Sequence, residues 1–348
     1  MSDEVLKVGL IGCGRIAFGH AEGFKNVPGV EIRALCDRRA GKAENLKEQA
    51  KLVGASVYGD YRDMLQKEKL DIVSVLVPDN LHYPVVRDVL RHRLHVICEK
   101  PLALSGGEAV KLARTAEKAG VIHGVRMPYR FHPAYRFLRT WIEGGHLGLP
   151  FHLRARLCVE RLSSPDISME WRMRSDIGGY GALADLGSHI LDLFDYLLPE
   201  WTAEIRSVTG TARIFYSHRR EPKTGKPQRV TALDAATVSL SFAGGPLAVM
   251  EVSRFSPGEH FFQADGERGS LRFDGEKVEI YEKTATDHQR ARSEFFPVSE
   301  QQIRQVSCPD FFIFFVDCCR KNEPFSPDFR QGARIMRRLD RIYRSLMR

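Results

Sequence analysis

Over the first 125 residues, short apolar runs rich in β-branched residues alternate with amphipathic stretches. Residues 7–11, 31–36, 72–76, 95–98 and 121–125 read as strands, and 39–52, 82–91 and 107–119 as helices. Such alternation implies crossover units, hence a parallel sheet with helices on both faces. The strands are nearly continuous in apolar residues, as expected when both faces are covered. From about residue 150 the texture changes. Residues 151–160, 204–216, 237–242, 247–255, 261–265, 270–273 and 278–281 read as successive strands, some joined by tight turns such as Ala243-Gly-Gly-Pro246. One helix, 184–198, interrupts them, and two more, about 301–321 and 330–347, close the chain. Strands in series without intervening helices predict a mostly antiparallel, open sheet in an α+β domain. The stretch 217–228 is basic, holds Pro and Gly, and reads as a surface loop. The expected division is a doubly wound α/β domain over 1–125 and an α+β domain over 126–348, with the C-terminal helix packing back on the first.

Composition narrows the class without changing this picture. A chain of 348 residues exceeds one typical core and fits two domains. No apolar run approaches the roughly 20 residues of a membrane span. The stretch Met1-Ser-Asp-Glu-Val is acidic and enters a strand almost at once, so no signal peptide and a cytoplasmic location are expected. The net charge is +8, but the basic residues are scattered. The C-terminal series from Arg330 to Arg348 alternates with Ile335, Met336, Leu339, Ile342 and Leu346, the wet face of an amphipathic helix. No nucleic-acid module accompanies the charge. Solvated surface explains it first, an anionic small substrate second, and nucleic acid last. The seven cysteines form no Cys-x-x-Cys pair and no zinc-like cluster with His, so buried free thiols and no metal site are expected.

The chemistry starts at Val8-Gly-Leu-Ile-Gly-Cys-Gly-Arg-Ile-Ala17, a strand, then Gly12-x-Gly14-x-x-Ala17, then a helix. Gly12 permits the tight turn, Gly14 lets backbone N–H groups approach a pyrophosphate, and the helix N-terminus faces the phosphate charge. Arg15 and Ile16 lie on the same turn. Asp37, after the second strand, answers the motif by accepting from the ribose hydroxyls, which favours NAD over NADP. Arg38 beside it is able to stack on adenine or tolerate a phosphate, so NADP stays open.

Further along the same sheet edge come Pro78, Asn80 and His82, and then Glu99-Lys100-Pro101. A Lys at the carboxyl end of a buried strand sits where open α/β sheets bind ligands. A structural role for His82 is as reasonable as a binding one. In the second half, Asp185 and His189 are four residues apart and would share one helical face. Gly187 between them leaves room for a ligand or another backbone. Oxidising an alcohol needs a base of near-neutral pKa, for which His is the usual choice.

These segments, together with Arg130-Phe131-x-Pro133, Gly145-x-Leu147-Gly148, Trp171-Arg172 and Gly178 through Asp192, resemble the Gfo/Idh/MocA oxidoreductases over nearly the whole chain. The resemblance implies an N-terminal Rossmann domain and a C-terminal open sheet that joins subunits in a homodimer or homotetramer. It implies NAD(P)-dependent hydride transfer to or from a sugar or cyclitol. Lys100 would hold the reacting hydroxyl, His189 would accept or donate the proton, and Asp185 would bind substrate. Arg130 would stand at the edge of the cleft, with Trp171 and Tyr180 on the substrate side and Glu99 on the cofactor side. The Lys100–Pro101 bond is expected to be cis. Tyr180 departs from the glycine usual in the family and is expected to reshape the substrate pocket. Two other classes stay open at this point: an NADPH-dependent ketoreductase of sugar-nucleotide or secondary metabolism, and a non-catalytic dinucleotide sensor.

Overall fold

The computed structural model describes residues 5–283 and 294–348, so residues 1–4 of the acidic N-terminal stretch lie outside it. The chain divides into two units: one runs to Met127 and takes in Pro309–Arg337, the other holds Pro128–Cys308 and Arg338–Arg348. The division is discontinuous in sequence, whereas the strand pattern suggests one boundary near residue 125.

In the first unit β1 (Leu6–Ile11), β2 (Val30–Cys36), β3 (Ser56–Tyr58), β4 (Ile72–Val75), β5 (His95–Cys98) and β6 (His123–Val125) form a parallel sheet in the order β3-β2-β1-β4-β5-β6. The order reverses between β1 and β4, and at such a switch point a doubly wound sheet opens a crevice at its carboxyl edge. The helices α1 (Ala17–Lys25), α2 (Ala40–Gln49), α3 (Tyr61–Lys67), α4 (His82–Arg91) and α5 (Gly106–Ala119) connect the strands. Ends are set locally. Ser105 caps α5 by accepting from the Glu108 N–H, and Gly120 closes it in the left-handed conformation.

The segment 311–321 completes this unit. A Cβ at Gly23 would stand 2.2 Å from the Phe312 ring, so the missing side chain on α1 is what admits that ring. Phe24 meets Phe312 edge-on at 4.8 Å between centroids. The pattern reads 301–321 as one helix, but the structure has two, Glu300–Arg304 and Phe311–Lys321. Pro309 offers no N–H to continue the first, and Asp310 starts the second by accepting from the Phe312 and Ile313 N–H groups.

The second unit is built on an eight-stranded sheet. Its strands are β7 (Pro150–Cys158), β8 (Ile205–Arg213), β11 (Ala235–Phe242), β12 (Leu247–Ser253), β13 (Glu259–Gly266), β14 (Gly269–Phe273), β15 (Val278–Glu282) and β16 (Phe296–Pro297), in the order β16-β15-β14-β13-β7-β12-β11-β8. Every pair is antiparallel except β7 with β12. β11 alternates buried and more accessible residues, so one face makes core. Phe194 of the helix Gly187–Leu197 packs there against Phe242 and Phe262. On the other face Arg156 bridges Glu251 and Glu259, and Phe151, Leu247 and Val249 stay exposed. The stretch read as a loop, 217–228, instead contains a ribbon of β9 (His218–Arg220) and β10 (Pro227–Arg229). Arg219, only 4% exposed, docks it by donating to the Leu162 carbonyl and stacking on Tyr216. No helix among the described residues is long and apolar enough to cross a membrane.

Candidate active site

Gly12, Gly14, Asp37, Pro78, Asn80, His82, Glu99 and Lys100 belong to the first unit. Gly12 follows β1 with φ +99°, and a Cβ there would lie 2.6 Å from the Leu76 carbonyl oxygen, so only glycine makes this turn without strain. Its N–H donates to the Cys36 carbonyl. The Asp37 carboxylate accepts from the Cys13 N–H at 3.0 Å and the Arg39 N–H at 2.9 Å, tying the glycine loop to the end of β2. Burial, then the Asp37 and Cys36 charges, push the Cys13 thiol up to about 12, so it is no nucleophile.

Two observations test this half for a dinucleotide. No side chain caps the N-terminus of α1, and a Cβ at Gly14 would meet nothing within 4 Å, so phosphate oxygens have backbone donors and space. Asn80 Oδ1 is buried without a hydrogen-bond partner among the described residues, an acceptor suited to a ribose hydroxyl or amide. The residues fit NAD. Arg15, Ile16 and Arg38 are exposed around the loop.

His82 is placed differently. Its ring is fully buried, with Nδ1 2.6 Å from the Pro101 carbonyl and Nε2 2.9 Å from the Val77 carbonyl. Both nitrogens are spent on backbone, so His82 clamps the start of α4 to the Lys100–Pro101 turn. That peptide bond is cis. The Glu99 N–H donates to the Val75 carbonyl, and its carboxylate accepts from the Lys100 backbone N–H at 3.2 Å.

In the second unit the predicted helix 184–198 is broken. One turn, Ala182–Asp185, precedes the helix Gly187–Leu197. The His189 N–H bonds back three residues, to the Leu186 carbonyl. Gly187 does not make room for a ligand: a Cβ would meet Met250 Cε at 3.0 Å and Leu183 Cδ1 at 3.2 Å, so the space belongs to the core. Asp185 Oδ2 accepts from the Arg254 guanidinium at 3.2 Å, and Arg172 Nε stands 3.9 Å away. Arg254 is 1% exposed and also donates to the Arg172 carbonyl. His189 is nearly buried, with the Tyr129 ring 4.9 Å from its own. Tyr129 in turn packs on His260 at 4.5 Å, and His260 Nε2 pairs with the Tyr135 hydroxyl at 2.7 Å. Burial, helped by His132, lowers the His260 pKa to about 4, so this ring is neutral at ordinary pH.

Two of the substrate-side candidates, Arg130 and Tyr180, are engaged inside the second unit. Arg130 is 5% exposed and grips Asp192 through Nε at 2.9 Å and Nη2 at 2.6 Å, a buried ion pair and not a cleft edge. Tyr180 donates to Asp340 at 2.9 Å and stacks on Tyr343 at 4.3 Å, so its hydroxyl and one ring face are engaged within the fold. Trp171 carries the Arg172 guanidinium over its ring at 4.0 Å.

Family models match both units. Residues 6–127 match the oxidoreductase family with an NAD-binding Rossmann fold, and residues 135–272 match the Gfo/Idh/MocA C-terminal domain. The chain belongs to the Gfo/Idh/MocA family. Among relatives of this family, levoglucosan dehydrogenase of Pseudarthrobacter phenanthrenivorans is 26% identical over 293 residues, 78% of this chain and 74% of the relative. Myo-inositol 2-dehydrogenase of Thermotoga maritima is 28% identical over 249 residues, 72% and 69% of the two chains. The crystal structure of an oxidoreductase domain protein from Kribbella flavida superposes with a TM-score of 0.87 at 26% identity, covering 98% of this chain and 97% of that one. As a Gfo/Idh/MocA member the protein is an NAD-binding oxidoreductase that acts by hydride transfer.

Arg254 escaped the motif reading, yet its phase betrays it. It continues the inward series Ala248, Met250, Val252 of β12, and an inward Arg demands a carboxylate. His20 was equally visible, standing in the buried stripe Ala17, Ala21, Phe24 of α1.

Proposed function

We propose that the protein is an NAD-dependent dehydrogenase of a sugar or cyclitol hydroxyl, with Lys100, Asp185 and His189 as its working side chains. The observation that carries this reading is the Asp185–His189 turn, where Arg254 holds a part-exposed carboxylate beside an imidazole packed on Tyr129. A dinucleotide sensor needs no such pair. The substrate class follows from relatives named for levoglucosan and myo-inositol. Bound NAD supplies the hydride acceptor. His189 takes the hydroxyl proton as the carbon gives up its hydride, leaving a ketone and a protonated imidazole. Lys100 donates to the reacting oxygen and fixes its distance, and Asp185 accepts from a neighbouring hydroxyl. The exposed face of the eight-stranded sheet joins subunits in a homodimer or homotetramer. Light scattering at micromolar concentration is expected to give at least a dimeric mass, and a clean monomer rules the assembly out.

Lys100→Ala tests the assignment. It removes a charged donor, worth about 1.5–3 kcal/mol for a hydrogen bond, so kcat/KM on the best substrate from a polyol and sugar panel should fall roughly 10–150-fold. The NADH dissociation constant should stay within about twofold. A large loss of NADH affinity makes Lys100 a cofactor ligand first.

A further inference from the structure

α1 opens at the glycine loop, and one turn in it carries a buried polar residue with no part in that loop. His20 is 4% exposed and lies edge-on to Phe312 at 5.1 Å. Its Nδ1 is 2.9 Å from Ser74 Oγ and its Nε2 is 3.0 Å from Glu99 Oε1. An ionised carboxylate only accepts, so Nε2 carries the hydrogen toward Glu99, while Nδ1 pairs with the Ser74 hydroxyl, a group able to donate or accept. The other Glu99 oxygen accepts the Lys100 N–H. The order serine, imidazole, carboxylate has the outline of a hydrolytic triad. Ser74, however, sits inside the central strand β4 with no exposed surface, so no substrate reaches it. The series of bonds has its functional end at Lys100.

Glu99 is held as an anion. Burial opposes its charge, but the His20 bond and charge, then the Lys100 and Arg126 cations, outweigh it and bring the carboxyl down to about 2. Arg126 lies over the Phe311 ring at 4.2 Å, so its charge also has a fixed place. A central apolar strand has little reason to bury a hydroxyl, and Ser74 finds that reason in Nδ1 of His20, which would otherwise be a buried polar atom without a partner.

We propose that His20 is a positioning residue for Lys100. By holding one oxygen of Glu99 it keeps the other on the Lys100 N–H, and it links that geometry to the helix whose N-terminus receives the dinucleotide phosphates. The inference rests on the assignment of Lys100 to the reacting hydroxyl.

The test uses the full chain with NADH as probe. His20→Phe removes both bonds and keeps a ring against Phe312, while His20→Gln restores a donor toward Glu99. His20→Phe should lower kcat at saturating NAD roughly 10–100-fold, the scale of one charge-assisted bond, with the NADH dissociation constant within about twofold. His20→Gln should recover part of the loss. Glu99→Gln should lose as much as His20→Phe, and the double variant no more than either. A second readout needs no substrate. In side-chain carboxyl NMR the Glu99 midpoint should rise in His20→Phe from about 2 toward the ordinary range near ~4.3. If His20→Phe does not fold, Ser74→Ala beside His20→Gln carries the same comparison. Unchanged kcat in His20→Phe, losses that multiply in the double variant, or an unmoved Glu99 midpoint each overturn the proposal. Lost NADH affinity with intact kcat makes His20 a cofactor-loop residue and overturns it too. If Lys100→Ala keeps full turnover, the Lys100 reading fails by itself, and the NMR arm still decides whether His20 holds Glu99.

Discussion

Turnover by His189→Ala is expected to fall roughly 10²–10⁴-fold, the usual contribution of a positioned general base. The group removed is specific. The ring is only 8% exposed and packs against Tyr129 at 4.9 Å, and its backbone N–H is fixed on the Leu186 carbonyl, so the imidazole has one place to stand. Water entering the gap is a far weaker base, and the neighbouring His260 does not take over, because it is bonded to Tyr135 and held neutral. The measurement is steady-state kcat at saturating NAD on the best substrate of the panel, with NADH binding and melting temperature followed in parallel. Added imidazole should restore a fraction of the rate. Full turnover in a folded His189→Ala protein refutes the role.

The second large effect is on stability. Asp192→Ala leaves the buried Arg130 guanidinium without the carboxylate that meets its Nε and Nη2, and breaking a buried pair on one side costs about 3–5 kcal/mol. Replacing both partners by apolar residues of similar volume should cost much less, since no uncompensated charge remains. Denaturant unfolding of the two variants checks this. A loss under ~1 kcal/mol in Asp192→Ala, small on the scale of such pairs, means that the ion pair does not hold this part of the fold. The comparison also separates two readings of Arg130. A cleft residue removed with Asp192 would cost substrate affinity and spare stability, whereas a core pair does the reverse.

What the sequence discloses depends on how local the cause is. The glycine loop is legible because its constraint is a single backbone turn: Gly12 at φ +99° against the Leu76 carbonyl. The strands β1, β2, β4 and β5 are legible because continuous apolar runs need both faces covered. β3 escapes, being three part-buried residues at the sheet edge. The merged helix 301–321 was avoidable, since Pro309 announces the break. Partner choice is harder. Arg254 and Asp185 lie 69 residues apart, and Arg130 and Asp192 lie 62 apart. Periodicity says that each arginine faces inward but not which carboxylate meets it. For the same reason Arg130 and Tyr180 pass for cleft residues in a motif. A motif records order along the chain and is silent about which side of the backbone a side chain takes.

The ring of Phe312 under Gly23 has a consequence for how the chain is made. The face of α1 that it covers, including Phe24 and His20, leaves the ribosome well before its cover does. That cover, Phe311–Lys321, follows only after every strand of the eight-stranded sheet has been made. Until then the nascent nucleotide-binding half waits with an apolar face bare, the condition in which chaperones engage and aggregation competes. Cutting the gene after residue 127 would make that waiting state permanent. A separately expressed N-terminal half should be kept soluble only when the 309–337 segment is supplied with it.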